Sequence, residues 1–441
     1  MYDVDLPFHG GEAAVGRFRR FPPGRRGTHC AACPRPGWGW LPLRRAVEPK
    51  EGITVRAQIN SPILVVDAGS SSLRLTIFGD GGEILAEHRR DSAPGEDVPS
   101  ALRQVLAEAP TPLAVGHRLV HGGPELRRHT LVDDGVRAGL DQAADLAPLH
   151  VPPALTVLDA ARELLPDVPH IACFDTAFHA DLPAAAREYA VPASWREEYG
   201  LRRYGFHGLS YAWATERAAE LLGRHPGQLH LVIVHLGGGC STCAVREGRS
   251  VDTTMGFTPL EGLVMAHRSG SIDPGAVTWL QTRHGLSAHD IEDALNHKSG
   301  LLGLSETSDD TRDLVRSQAA GDKRATLALD VFAHHCRRGI AAMAASLDRL
   351  DALIFTGEIG EDQPEVREEV CAGLSTLGLK GGLRAVVPER AEIVSESGAR
   401  VPVVVVPTGE AQQVERESRA YLVRLASERQ PGRSDADSSS P

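Results

Sequence analysis

Short apolar runs, each followed by a polar or glycine-rich turn, recur along this chain of 441 residues. Residues 63–66 are all apolar and predict a buried strand. After the polar turn at residues 67–72, Leu73, Leu75 and Ile77 alternate with polar residues and predict a returning strand. The tip of this hairpin offers backbone N–H groups and hydroxyls with little side-chain bulk. Such a tip suits a phosphate, although an ordinary serine-rich turn has the same composition.

A second hairpin with the same pattern is predicted further along the chain. Residues 231–234 are apolar, and the turn that follows contains three consecutive glycines. His235 takes the position of Asp67, and Gly237 takes that of Gly69. Two such hairpins indicate an internal duplication in which each copy contributes one phosphate-binding turn. The repetition favours the phosphate interpretation.

The remaining pattern alternates strands with helices, which predicts an α/β fold. Further buried strands are predicted at residues 113–116, 171–174, 353–356 and 403–406. Helices are predicted at residues 101–109, 154–165, 211–222, 327–350 and 411–426. We expect residues 309–313 to form a polar loop, and the turn after residue 356 to be a third glycine turn of the hairpin kind.

Composition excludes several functional classes. The net charge of −11 argues against a nucleic-acid partner, and no apolar run approaches the length of a membrane span. Only four of the 47 basic residues are lysines, none in a P-loop, and no GxGxxG follows a predicted strand. The seven cysteines lie mostly in apolar runs and are expected to be free thiols in the cytoplasm. Cys30 and Cys33 leave a zinc or redox role as the alternative for that pair.

Both ends of the chain differ from its centre. Residues 1–58 combine glycine, proline and arginine without a helical or strand period, and predict a poorly ordered accessory extension. A small basic interaction arm is the competing interpretation. Residues 428–441 are expected to form a disordered tail.

A dozen motifs give the chain a family resemblance. In chain order between about residues 62 and 427 they are DAGSSSL, GHRLVHGG, LAPLHVPPA, FDTAFH, YGFHG, HLGGGCS, MGFTPLEGL, RSGSIDP, KSGLLGLS, DDTRDL, FTGEIGE and PTGE. With these motifs the chain resembles the acetate kinases, in the actin-like, sugar-kinase and Hsp70 ATPase superfamily. The resemblance implies two duplicated actin-like (ribonuclease H-like) α/β domains with a cleft between them. Residues 61–179 plus 411–427 would form domain I, and residues 180–410 domain II.

The resemblance also implies a reaction. Acetate kinases transfer the γ-phosphoryl group of ATP to acetate, giving acetyl phosphate and ADP, with Mg²⁺ or Mn²⁺ as cofactor, and they form homodimers. Two alternatives stay open. One is the same fold with propionate or butyrate as acceptor or pyrophosphate as donor. The other is a non-catalytic nucleotide-binding regulator.

The resemblance assigns site residues motif by motif. Arg118, Asp175, His207 and Arg268 match the catalytic residues, with His207 and Arg268 as transition-state stabilisers. Asp67 and Glu410 match the metal ligands. His150 has either a structural or a catalytic role. The acetate pocket would consist of Arg118, Val120, Leu149, Phe206 and Pro259. The nucleotide site would consist of Ser70, Ser72, Arg74, His235, Leu236, Gly237, Gly238, Gly239, Asp310, Thr311, Arg312, Gly357, Glu358, Ile359 and Gly360.

Several positions depart from the family pattern, and most belong to the nucleotide and metal side of the site. The family usually has asparagine at positions 67, 238 and 409, lysine at 74, an aromatic residue at 311 and glycine at 358. This chain has Asp67, Gly238, Gly409, Arg74, Thr311 and Glu358. We therefore expect the acceptor side to be intact and the nucleotide affinity to differ.

Overall fold

A computed structural model of the chain describes residues 61–69, 72–91, 95 and 97–428. The predicted N-terminal extension, the Ser70–Ser71 pair and the tail beyond Glu428 lie outside the described residues.

The first half of the chain forms a six-stranded mixed sheet in the order β3-β2-β1-β4-β6-β5. Its strands are β1 (Ile63–Ala68), β2 (Leu73–Phe78), β3 (Ile84–Arg90), β4 (Ala114–Leu119), β5 (Thr130–Leu131) and β6 (His170–Phe174). Strand β1 pairs antiparallel with β2 and parallel with β4. In this register Asp67 lies beside both Arg74 and Arg118, so the ends of the central strands bring charged residues together.

The second half forms another six-stranded sheet, in the order β11-β12-β10-β7-β8-β9. Its strands are β7 (His230–Leu236), β8 (Cys240–Arg246), β9 (Arg249–Thr253), β10 (Ala352–Thr356), β11 (Glu392–Ile393) and β12 (Val403–Val405). When β7 to β12 are read as counterparts of β1 to β6, the two sheets have the same strand order. Both central hairpins are antiparallel. The predicted internal duplication and α/β fold class are confirmed.

Fourteen α-helices connect and cover the sheets in the described part of the chain. They are α1 (Val98–Ala107), α2 (Asp134–Ala143), α3 (Val151–Leu164), α4 (Ala184–Arg187), α5 (Ala193–Tyr199), α6 (Gly208–Leu221), α7 (Pro274–His284), α8 (Ala288–His297), α9 (Gly300–Ser305), α10 (Thr311–Ala319), α11 (Lys323–Ala345), α12 (Glu358–Asp362), α13 (Pro364–Ala372) and α14 (Glu410–Glu428). The helices predicted from periodicity are present with shifted ends.

Two predictions of local structure were wrong. Residues 309–313 are not a loop throughout, because helix α10 begins at Thr311 and the side chain of Asp310 caps it by accepting a hydrogen bond from the Arg312 N–H at 2.8 Å. The turn after β10 is not a hairpin either. Gly357 is the N-cap of α12, so this strand leads into a helix. The sequence pattern of a strand followed by glycine is the same in both cases.

Each sheet has its own buried core, and the last helix joins the two halves of the chain. Helix α14 packs against β1, β4 and β6 of the first sheet and also contacts α6. Val414 on α14 is fully buried against Ile63 and Val65 of β1. Within the described residues, no helix combines the length and the apolar character needed to cross a bilayer. The five described cysteines are buried free thiols, as expected.

Candidate active site

Three carboxylates surround one arginine at the ends of the central strands of the first sheet. The Arg118 guanidinium lies 3.2 Å from Asp67, 3.1 Å from Asp175 and 2.8 Å from Glu410. Asp67 and Arg118 are neighbours in the β1–β4 register, and Asp175 follows β6 directly. Glu410 is the first residue of α14. The structure therefore brings together four residues that the sequence assigned to catalysis and metal binding.

This cluster perturbs the pKa of its members. Burial raises the pKa of Asp175, although Arg118 opposes the shift. Burial and the neighbouring carboxylates Asp175 and Asp67 raise the pKa of Glu410 to about 7, again against Arg118. The carboxylates in turn raise the pKa of Arg118, despite its burial. The permanent positive charge of Arg118 thus favours the ionised form of carboxylates that burial alone would favour in the protonated form.

Two stacked histidines lie beside this cluster. His207 precedes α6 and has a left-handed backbone conformation (φ 58°), and His235 lies near the end of β7. Their ring centroids are 4.1 Å apart with an interplanar angle of 24°. Burial lowers the pKa of His207 well below its usual value and that of His235 to about 3, and Arg118 adds to both shifts. Both imidazoles are neutral near pH 7, which makes their stacking compatible with the nearby arginines.

Arg268 also lies close to His207, at the second glycine turn. Its Nη1 donates to the carbonyl of Pro259 at 2.8 Å, and burial lowers its pKa. Gly239, in the second glycine turn, approaches both side chains closely. A Cβ on Gly239 would lie 2.9 Å from Arg268 Nη2 and 3.2 Å from His207 Nε2. The glycine turn, the histidine and the arginine therefore form one continuous surface.

A cavity of about 220 Å³ adjoins the glycine turn. It brings together nucleotide-site residues from three predicted motifs, namely Gly237, Gly238, Asp310, Thr311, Arg312, Glu358 and Ile359. The structure adds four residues that the sequence analysis did not assign, Ala266, Asp309, Asp362 and Gln363. Asp309 directly precedes the assigned Asp310, and Asp362 lies two residues beyond the assigned Gly360, but only their position in space shows that they line the cavity.

Gly357 and Gly360 do not line the cavity, but they lie directly beside the lining residues Glu358 and Ile359 in the chain. The backbone of Gly357 packs against the buried Leu236, and Gly360 is buried on α12. Glu361, the last residue of the FTGEIGE motif, accepts hydrogen bonds from the N–H groups of Gly357 at 2.9 Å and Thr408 at 2.8 Å. This carboxylate ties the turn after β10 to the segment that leads into α14.

Three assigned residues are not placed in the cluster. Arg74 lies beside Asp67 in the sheet, but its guanidinium pairs with Glu87 at 2.8 Å on the neighbouring strand. Ser72 is exposed in the first turn, and its carbonyl accepts from the Gly69 N–H at 2.9 Å. Ser70 lies outside the described residues. Among the described residues, the first turn thus contributes Asp67 to the cluster around Arg118, and the second turn contributes Gly237 and Gly238 to the cavity.

The predicted acetate pocket is partly assembled. Phe206 is buried, and the half-buried Val120 packs in the same apolar cluster. Leu149 is 45% exposed, so it forms a rim at most. Burial lowers the pKa of the neighbouring His150 to about 4, and the nearby charges of Arg268 and Arg118 add to this shift.

One departure from the family pattern has a structural reason. Gly409 packs directly against the indole ring of Trp213, whose Nε1 donates to the carbonyl of Pro407 at 3.0 Å. A side chain at position 409 would overlap this ring. The tryptophan therefore occupies the space that an asparagine would need.

The carboxylates of Asp67 and Glu410 fit a divalent cation that keeps most of its water. Both lie within 3.2 Å of the same guanidinium, so their oxygens converge on one point. No group of three or more His, Cys, Asp or Glu in the described residues could hold a metal ion by itself. Mg²⁺ needs no such group, because it is usually bound by one or two carboxylates, water and substrate phosphates.

The comparisons with known proteins agree with this geometry. The sequence model of the acetokinase family matches residues 99–416. The chain belongs to the acetokinase family. Acetate kinases of Leifsonia xyli and Streptomyces coelicolor are 44% and 42% identical to it, over 81% and 82% of this chain and 98% and 97% of theirs. Membership confirms the resemblance drawn from the motifs and the class of enzyme, a phosphotransferase with a carboxyl group as acceptor.

Crystal structures of an acetate kinase and a propionate kinase share the fold. The acetate kinase of Porphyromonas gingivalis superposes with a TM-score of 0.73 at 31% identity, covering 82% of this chain and all of that one. A propionate kinase from Francisella tularensis gives a TM-score of 0.74, also at 31% identity, over 81% of this chain and 98% of that one. The predicted duplicated actin-like fold is confirmed, and an acetate kinase and a propionate kinase superpose on this chain about equally well.

Proposed function

We propose that this chain is an acetate kinase, which transfers the γ-phosphoryl group of ATP to acetate and forms ATP from acetyl phosphate and ADP in reverse. The convergence of Arg118, Asp175, His207 and Arg268 next to a glycine-lined cavity carries this proposal. Family membership supports it independently. Phosphoryl transfer requires an acceptor and a donor held in line, with hydrogen-bond donors and positive charge around the transferred group.

Each group in the cleft has a proposed role. The planar guanidinium of Arg118 binds the acetate carboxylate, and that of Arg268 binds the transferring phosphoryl group. An acetate oxygen forms the new bond to the γ-phosphorus while the bond to the β-γ bridging oxygen breaks and ADP leaves. His207 donates a hydrogen bond to an equatorial oxygen, and the backbone around Gly237 to Gly239 holds the ATP phosphates. Asp175 orients the acceptor and its arginine.

Mg²⁺, or Mn²⁺ in its place, would be held by Asp67 and Glu410. When bound, it would neutralise charge on the ATP phosphates. Because Arg118 now pairs with both carboxylates, metal and acetate binding would share these residues. Asp67 and Glu410 would then exchange the guanidinium for the metal, which leaves Arg118 available to the acetate.

Acceptor choice would depend on an apolar wall formed by Val120, Phe206 and Pro259, with the exposed Leu149 at its rim. One additional methylene in such a pocket changes the free energy by only about 1–3 kcal/mol, so propionate should be a poorer substrate without being excluded. Trapping acyl phosphates as hydroxamates with acetate, propionate and butyrate, and with ATP and pyrophosphate as donors, tests the proposal. Fastest turnover with acetate and ATP supports it. Binding of Mg·ATP without any acyl phosphate would favour a non-catalytic regulator.

The domain division is part of the proposal. Domain I would comprise residues 61–179 plus 411–427, and domain II residues 180–410, with the active site in the cleft between them. The packing of α14 on the first sheet supports the return of the chain to domain I. Limited proteolysis with and without Mg·ATP and acetate would test it, since closure of the cleft should protect the connecting segments.

We also propose a cytoplasmic homodimer. The buried, unpaired state of the five described cysteines suits a reducing compartment. Helix α7 has no buried residue, and Trp279 on it is 54% exposed, as is common for a surface that a second copy covers. Light scattering should give twice the mass of one chain for the wild type and a single chain for Trp279→Asp. A wild-type monomer would contradict the dimer.

A further inference from the structure

Each of the two stacked histidines is hydrogen-bonded to a serine from the segment of chain that carries the other histidine, either the β7–β8 hairpin or the start of α6. His207 Nδ1 lies 2.8 Å from the Oγ of Ser241 on β8, which is the strand paired with that of His235. His235 Nδ1 lies 2.9 Å from the Oγ of Ser210 on α6, the helix that His207 precedes. Both serines are fully buried. The result is a reciprocal brace between α6 and the second glycine hairpin.

The proton positions in this brace follow from counting donors and acceptors. The buried hydroxyl of Tyr211 hydrogen-bonds to the Ser241 Oγ, its one partner among the described residues. If Tyr211 accepted this bond, its own buried O–H would be left without an acceptor, which is costly. Tyr211 therefore donates to Ser241, and Ser241 has one remaining proton to donate to His207 Nδ1. That nitrogen is then unprotonated, so the neutral ring carries its proton on Nε2.

Ser210 leads to the same result for the second ring. Within the described part of the chain, His235 Nδ1 is the hydrogen-bond partner of the Ser210 hydroxyl. A serine that accepted from this nitrogen would leave its own buried proton unused. Ser210 therefore donates, and His235 also has its proton on Nε2.

Both Nε2 atoms lie at the glycine turn. A Cβ on Gly239 would be 3.2 Å from His207 Nε2, and a Cβ on Gly237 would be 3.7 Å from His235 Nε2. Their Nδ1 atoms are occupied by the serines, so Nε2 is the atom left for a ligand. A neutral N–H at this position can donate to a phosphoryl oxygen, whereas the opposite tautomer would present a lone pair that repels it.

We propose that Ser241, supported by Tyr211, and Ser210 are positioning residues that hold His207 and His235 as neutral Nε2–H tautomers facing the phosphoryl groups. This inference rests on the proposed function, in which His207 donates to the transferred phosphoryl group, and it adds that His235 donates to the ATP phosphates held at the glycine turn. In this proposal the β7–β8 glycine hairpin has two functions, and the first is to bind phosphate with its backbone N–H groups. The hairpin also sets the proton position of the histidine that precedes α6.

The first test is kinetic. Ser241→Ala and Tyr211→Phe should lower kcat, by roughly 10- to 100-fold for Ser241→Ala and by less for Tyr211→Phe, as is typical when a group that orients a functional histidine is removed. KM for acetate and ATP should change by less than about twofold, because the binding arginines and the glycine turn remain. Ser418→Ala is the matched control. Ser418 is equally buried but lies on α14 and bonds to the Val414 carbonyl at 2.7 Å, so its kcat should be unchanged. A kcat for Ser241→Ala within twofold of the wild type would overturn the proposal.

The second test reads the tautomers directly and needs no turnover. In the ¹⁵N-histidine-labelled wild type, the His207 and His235 signals, assigned with His207→Gln and His235→Gln, should show protonated Nε2 and unprotonated Nδ1. Ser241→Ala should convert only the His207 pattern towards a mixture, and Ser210→Ala only that of His235. Wild-type rings protonated on Nδ1 would overturn the proposal. If the chain formed no acyl phosphate at all, the proposed function would be wrong. The ¹⁵N measurement would still decide whether the serines hold His207 and His235 in the Nε2–H tautomer.

Discussion

Replacing Arg118 by alanine should destabilise the protein as well as inactivate it. The Arg118 side chain is 18% exposed, and its guanidinium compensates Asp67, Asp175 and Glu410 at 3.2, 3.1 and 2.8 Å. Removing one partner of a buried ion pair usually costs about 3–5 kcal/mol, because the remaining charge has no counter-ion. We therefore expect the free energy of unfolding of Arg118→Ala to fall by an amount in this range above neutral pH.

The size of this loss should depend on pH in a defined direction. Burial raises the folded-state pKa of Asp175, and that of Glu410 to about 7, while Arg118 lowers both. Without Arg118 the two values rise further above those of the unfolded chain, near 4. The folded variant then binds protons that the unfolded chain does not, so its stability falls as the pH rises from about 4 through the raised values. The free energy of unfolding of Arg118→Ala should therefore fall further below that of the wild type at about pH 8 than at about pH 6.

Urea unfolding followed by tryptophan fluorescence at both pH values measures this effect. Millimolar Mg²⁺ should restore part of the stability of Arg118→Ala, because a divalent cation can replace the guanidinium between Asp67 and Glu410. Arg137→Ala is a suitable control, because Arg137 pairs with the more exposed Asp159 and Asp141. This substitution should lower the free energy of unfolding by about 1 kcal/mol or less. If Arg118→Ala unfolded at the same urea concentration as the control at both pH values, the reasoning from charge compensation would be refuted.

Three further predictions concern other parts of the molecule. Gly239→Ala should lower kcat by about tenfold or more without unfolding the protein, because its Cβ would displace Arg268 and His207 from the phosphoryl position; unchanged turnover in the hydroxamate assay would contradict this. The apparent affinity for Mg²⁺ should rise with pH through about 7 as Glu410 loses its proton, and a flat dependence of the Mg²⁺ activation constant between about pH 6 and 8 would exclude Glu410 as a ligand. Deleting residues 1–58 should leave kcat and KM unchanged, and a folded but inactive truncated protein would assign a function to that segment.

The central strands and their turns were predictable because two local signals coincide there. An apolar run that is buried on both faces gives the strand, and glycine with polar residues gives the turn, as at β1 and β7. The edge strands β5 and β11 have only two residues each, too few for any period. Helix α10 was missed for a similar reason, since only Thr311 and Leu314 on it are buried and its polar start resembles a loop.

The candidate site was predictable where residues follow strand ends, because neighbouring parallel strands bring such residues to one edge of a sheet. Arg118 and Asp175 are examples. What the sequence could not indicate is which partner a side chain chooses. Arg74 pairs with Glu87 because the β2–β3 register places that glutamate within reach, and Ser241 meets His207 only because α6 docks on the second sheet. These contacts depend on the packing of separate elements, which local patterns do not encode.

The return of α14 to the first sheet has a consequence for how the protein is made. The strands at the start of the described chain, β1 and β4, are covered on one side by α14, which is the last of the described helices and is synthesised long after them. As the chain leaves the ribosome, the strands β7 to β12 can pair before that helix exists, whereas the first sheet keeps an apolar face open until residues 410–428 emerge. The first sheet is therefore synthesised first but completes its packing only once residues 410–428 have been made, and its open apolar face is where we expect a chaperone to bind.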